Sequence, residues 1–125
     1  MIVVKGGRSK QRSTVYKAAE FAWNYLMPRI YNCDIWIELK KVNDADGYCL
    51  QIDNREFEVE IDRRLEGDDF LTTIFHEMVH VKQGVRKEWK FNEVSYKTDE
   101  EYRNLPWEVE AYKVQEEILK AWKRK

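Results

Sequence analysis

The chain has 125 residues, of which 36% are charged and 43% hydrophobic, and its formal net charge is −1. That length gives room for a single domain with one core, so residues 1–125 are read as one domain. Acids and bases interspersed at near-zero net charge give no electrostatic footprint for nucleic acid, and no run approaches a membrane span.

Met1 to Val4 gives way at once to Lys5, Gly6, Gly7 and Arg8, which is not the apolar core of a secretory signal. Lys5, Arg8, Lys10 and Arg12 form a basic stretch, and Lys123, Arg124 and Lys125 a basic tail; both are expected to be solvated termini. Residues 14–30 carry Val15, Ala18, Ala19, Ala22, Tyr25, Leu26 and Met27 at helical spacing. They predict an N-terminal backing helix ending near Pro28. In residues 33–42, Ile35, Ile37 and Leu39 alternate with Trp36 and Glu38, the period-two mark of a strand with one buried face. Asn43, Asp44, Ala45, Asp46 and Gly47 are turn residues, strand resumes over 48–53, and Asn54 and Arg55 turn again. Phe57, Val59 and Ile61 then alternate with Glu58, Glu60 and Asp62. The succession predicts a three-stranded antiparallel meander.

Phe70, Leu71, Ile74, Phe75, Met78 and Val81 recur at three- and four-residue steps and predict a core helix over about residues 69–83. Asp68 and Asp69 offer N-cap carboxylates and first-turn negative charge, and Gly84 stands where a C-terminal cap would stop the helix. On this helix His76, Glu77, Met78, Val79 and His80 spell H-E-x-x-H, and they hold the chain's two histidines. Positions four apart project from one helix face, so both imidazoles can reach a zinc ion at about 2.0–2.1 Å. Glu77 lies roughly 100° round the helix from His76. From there it reaches a water beside the metal, the place of the general base in an H-E-x-x-H hydrolase.

Residues 85–104 are long for a connection and hold Trp89, Phe91, Val94 and Tyr96. Such loops tend to be functional, and Tyr96 or Tyr102 is a candidate hydrogen-bond donor to the oxyanion of a hydrolytic transition state. Pro106 suits the first turn of a further helix, along which Trp107, Ala111, Val114, Ile118, Leu119 and Trp122 trace an apolar stripe.

A catalytic zinc wants three protein ligands and an open fourth position. With no further histidine, the third ligand must be a carboxylate or a cysteine. A metzincin would need histidine at position 86, which is Arg86. Cys33 and Cys49 lie well upstream, in strand or turn segments, and are weak candidates. Glu108 and Glu110, in the first turns of the last helix, remain open alternatives on the residues alone.

HEMVHVKQ followed by PWEVEAY resembles the gluzincin clan of zinc peptidases. Size and element order are similar to its smallest members, the minigluzincins, and to short peptidase-like proteins of phages and mobile elements. The specific residues of that likeness are confined to positions 76–83 and 106–112. The resemblance implies a minimal α+β zincin-like fold: a backing helix, a three-stranded antiparallel sheet, the H-E-x-x-H helix and a C-terminal glutamate helix. It implies one Zn2+ per chain held by His76, His80 and Glu108, with Glu77 as catalytic base. Glu108 is chosen because the clan's ligand glutamate is often followed four residues on by a polar supporting residue, and here Tyr112 stands there where relatives carry Asp or Asn. Glu110 is the fallback ligand or a solvated acid. The clan also implies a peptide or protein substrate that adds as a strand to an edge of the sheet, and a latent form when isolated.

Two cysteines fit a reducing, cytoplasmic setting, and a cross-strand approach of Cys33 to Cys49 is compatible with the predicted elements. Two other readings stand beside the peptidase: a noncatalytic zincin-fold binding or regulatory protein, and a SprT-like protease acting beside DNA. Balanced charge and the lack of a cysteine-rich zinc ribbon count against the second. Retention of Glu77 counts against the first, because a structural zinc site closes its fourth position and needs no base.

Overall fold

A computed structural model of the chain describes residues 1–89 and 98–125. In chain order the elements are β1 (Ile2–Gly6), α1 (Ser9–Leu26), β2 (Asp34–Lys40), β3 (Gly47–Asp53), β4 (Glu56–Asp62), α2 (Gly67–Val85), α3 (Asp99–Arg103) and α4 (Pro106–Arg124). Among the described residues the architecture is therefore mixed α and β, with four helices and one four-stranded mixed sheet.

The sheet corrects the expected antiparallel meander. Its strand order is β1-β2-β4-β3; β1 and β4 both run parallel to β2, and the antiparallel pair is β3 with β4. The physical reason lies in which strand has most to bury. Phe57, Val59 and Ile61 of β4 and Ile35, Ile37 and Leu39 of β2 are all at most 2% exposed, so these two strands take the centre. The large side chains of β3, Tyr48, Leu50 and Ile52, face outward and are about half exposed, while Cys49 and Gln51 face in. With little apolar surface to bury, β3 falls to the edge. The Asn54–Arg55 turn still joins β3 to β4 as a hairpin, as expected. β1 fills the opposite edge, and its five-residue IVVKG run carries too little alternation to be legible as a strand in the sequence.

α1 packs against β1 and α2, α2 against β3 and β4, and α4 against α2. Val15, Ala18, Ala19 and Ala22 are fully buried, and three alanines on one face let α1 approach closely. Tyr25 of the same predicted helix is instead exposed, and Met27 is buried just past its end. Lys10 and Arg12 lie within α1, and Lys123 and Arg124 within α4, where Lys123 pairs with Asp68 at 2.6 Å; apart from the half-buried Arg12 the basic residues of both runs are exposed, as expected.

The ends of α2 also differ from expectation. Glu66 occupies the N-cap position without a side-chain cap, and Asp68 and Asp69 lie in the first turn, where their charge favours the helix N-terminus. Gly84 does not stop the helix. A Cβ there would lie 2.5 Å from Cε2 of Phe57, so the glycine lets α2 lie directly on β4. The left-handed residue that ends the helix is Lys87, at φ 60°. Its N–H donates to the Gly84 carbonyl and that of Glu88 to the Gln83 carbonyl, the two bonds of a Schellman stop. No helix among the described residues is long and apolar enough to cross a membrane.

Candidate metal centre

α2 and α4 pack on one another, and His80 and Gln83 of α2 meet Glu108 and the Trp107 carbonyl of α4 across that contact. Glu77 (5% exposed), His80 (4%), Gln83 (1%) and Glu108 (2%) lie inside, on helices whose other buried positions are mostly apolar. Pro106 is the first residue of α4, so Glu108 sits in the first turn, as the sequence predicts.

The carboxylate of Glu108 reaches both histidines. His76 Nε2 stands 3.1 Å from its Oε1 and His80 Nε2 2.7 Å from its Oε2. One potential ligand atom from each of the three residues lies within 4.8 Å of the others, so the group could hold a metal ion. Neither Cys33 nor Cys49 belongs to it; both are free thiols. Glu110 is two residues further round α4 and turns away. It accepts from Lys82 Nζ at 3.0 Å and from Gln83 Nε2 at 2.8 Å, so it is not a freely solvated acid, and it lies outside the group that could hold a metal.

The donor set fits a divalent cation. Two imidazole nitrogens and one carboxylate are the three protein ligands of one class of zinc site. Each ring also has its outer nitrogen engaged: His76 Nδ1 lies 2.7 Å from Gln115 Oε1, and His80 Nδ1 2.7 Å from Gln83 Oε1. Ligand histidines are commonly held this way. The rings are also packed. His76 lies 4.7 Å from the Tyr112 ring, and His80 stacks on Trp89 at 5.2 Å.

Burial and pairing set the charges. Burial pushes the Glu108 carboxyl up, but hydrogen bonds with His76 and His80 more than offset this and hold it at about 2. Burial pushes His80 down, and its hydrogen bond to Glu108, with the nearby charges of Glu77 and Glu108, raises it overall. Glu77 is raised, chiefly by burial, with partial relief from both histidines.

No known protein family, curated protein or solved structure matches this chain. The likeness to gluzincins accordingly rests on the two short segments that carry it.

Of the four expected site residues, His76, His80 and Glu108 come together between α2 and α4, while Glu77, buried on α2, has the start of β3 against its carboxylate. Tyr112 supports the site by ring contact with His76 rather than as a polar partner of Glu108. Tyr102 lies on α3, and Tyr96 lies outside the described residues. The residues missed are Gln83 and Gln115. Gln83 was legible in principle, since it follows His80 by three positions and helical neighbours three apart touch. Gln115 needed the packing of α4 on α2 to be known.

Proposed function

We propose that the protein is a zinc-dependent peptidase of gluzincin type, built on a minimal zincin-like fold. His76, His80 and Glu108 would hold the ion and Glu77 would act as general base. The observation that carries this reading is the convergence of both Nε2 atoms of an H-E-x-x-H helix on one buried carboxylate of a neighbouring helix. Bound there, zinc supplies Lewis acidity and lowers the pKa of a water toward about 7.

The chain's own residues do the rest. Glu77, raised by burial, is a carboxylate whose affinity for a proton is brought toward neutral pH, where a general base works best. It takes the proton of the attacking water and returns it to the leaving amide nitrogen. The start of β3 runs against this residue: a Cβ on Gly47 would lie 3.3 Å from Glu77 Oε2. Because β3 is an edge strand, a substrate peptide adding beside it would pass close to the base. Two free thiols suit a reducing cytosol, which we take as its setting.

Glu77→Gln keeps size and hydrogen bonding but removes the base. Zinc content should be unchanged while cleavage of a broad peptide pool falls about 10²–10⁴-fold. Cleavage by Glu77→Gln at the wild-type rate would sink the mechanism. A noncatalytic metal-holding domain is the second reading, favoured by how deeply Glu77, His80 and Glu108 are buried. It gains if wild-type protein binds zinc and cleaves nothing.

A further inference from the structure

Gln83 is an amide with 1% of its surface exposed, in the innermost layer of α2. A buried amide is destabilising unless hydrogen-bonded, and this one is nearly saturated. Its Nε2 donates to the Trp107 carbonyl at 2.9 Å and to Glu110 Oε1 at 2.8 Å, and its Oε1 faces His80 Nδ1 at 2.7 Å. The two groups on the nitrogen side, a carbonyl and a carboxylate, only accept. Turning the amide over would set its oxygen against both, so the orientation is dictated by its partners.

That orientation decides the chemistry of His80. With an amide oxygen facing it, Nδ1 must carry a hydrogen for the 2.7 Å contact to be a hydrogen bond. In the neutral ring the lone pair is then on Nε2, the atom aimed at Glu108. The chain of contacts continues outward, since Glu110 is held by Lys82 Nζ at 3.0 Å, and Lys82 is paired with Glu88 at 2.8 Å. His76 lacks such a lock. Its partner Gln115 donates to Glu116 at 3.3 Å, a single long bond at the surface in place of the two short buried ones that hold Gln83.

We propose that Gln83 is a positioning residue that commits His80 to present Nε2 to a metal, and that Glu110 and the Trp107 carbonyl fix the Gln83 amide in the orientation this requires. The proposal rests on the metal-site reading of His76, His80 and Glu108. It gives Glu110 a defined task two steps from the ion.

The test uses the full chain and zinc alone. Affinity is measured by competition with a chromophoric chelator, and the ring nitrogens of His80 by long-range ¹H–¹⁵N NMR of the zinc-loaded protein. Wild type should show Nε2 on zinc and hydrogen on Nδ1. Gln83→Leu, which fills similar space without an acceptor, should weaken zinc about 10- to 100-fold, the usual cost of losing such a partner. It should also lose the single Nδ1–H signal pattern. Should Gln83→Leu fail to fold, Glu110→Ala decides, because that side chain is 39% exposed and its loss spares the core. It should weaken zinc by a smaller factor and broaden or split the His80 nitrogen signals. Zinc affinity and His80 signals unchanged in the folded variants would overturn the role of Gln83 while leaving the metal site intact. A wild type that takes up no zinc would overturn the metal site, and this proposal with it.

Discussion

Glu108 and Glu110 stand two residues apart on one helix turn, and their surroundings separate their roles. Glu108 is enclosed by two imidazoles at 3.1 and 2.7 Å, whereas Glu110 meets an ammonium and an amide. Replacing Glu108 by Gln removes a charged ligand atom and leaves a buried amide facing two rings. Zinc retention after gel filtration should therefore collapse in Glu108→Gln, while Glu110→Gln should lose at most the roughly 10- to 100-fold expected of an outer partner. Metal analysis of both variants decides it, and retention by Glu108→Gln with loss by Glu110→Gln would reverse the assignment. At this scale the sequence was informative because H-E-x-x-H fixes three residues by helical spacing alone. Choosing between the two glutamates needed the resemblance, since both lie in the first turns of α4. Gln115 was not legible, because its meeting with His76 across 39 residues of chain depends on how two helices dock.

Gly84 shows where element-level reading fails. A glycine near the end of an apolar helical run looks like a stop, yet this one lies inside α2 and is buried. In an open helix, Gly→Ala stabilises by about 0.5–1 kcal/mol. Here the new methyl would stand 2.5 and 2.7 Å from two ring carbons of Phe57, itself 0% exposed and unable to swing away. Overpacking of that kind costs about 1–3 kcal/mol, so Gly84→Ala should be less stable than wild type in chemical denaturation. A gain in stability would show that α2 and β4 are not in tight contact at this point. The same limit governs the sheet. Each strand from 33 to 62 was legible from its alternation, and the β3–β4 hairpin from its two-residue turn. Strand order was not, because inserting β4 between β2 and β3 depends on comparing what each strand would bury against the helices, a long-range quantity.

Across the whole molecule, α2 is the hub, packed on α1, β3, β4 and α4, whereas α4 is held mainly by α2. Ala111, Ile118 and Leu119 supply its apolar contact, and Trp122 meets Phe21 and Phe75. The candidate metal group lies at its N-terminal end and bridges it to α2, so occupancy of the site should be felt as global stability. A ligand that binds only the folded state adds about 2.7 kcal/mol at a hundred times its Kd. The size of the effect depends on pH, with a definite sign. In metal-free protein the Glu108 carboxyl is lowered from an ordinary 4.5 to about 2, so its contribution is present above pH 4.5 and fades as pH falls toward 2. His80 is raised from an ordinary 6.5, so its contribution is complete below pH 6.5 and is lost as pH rises through its folded value. A ligand histidine must be deprotonated for zinc to bind, so zinc bound by the triad would tie α4 to α2 in the pH range where the His80–Glu108 ion pair no longer does. Melting curves with and without zinc should therefore diverge progressively as pH rises from 6.5, the chelated protein losing stability on the alkaline side and the loaded protein keeping it. A difference that stays flat or shrinks over that range, with zinc confirmed present in one sample and absent from the other, would mean either that the metal is not held by the buried triad or that holding it there is not coupled to the fold.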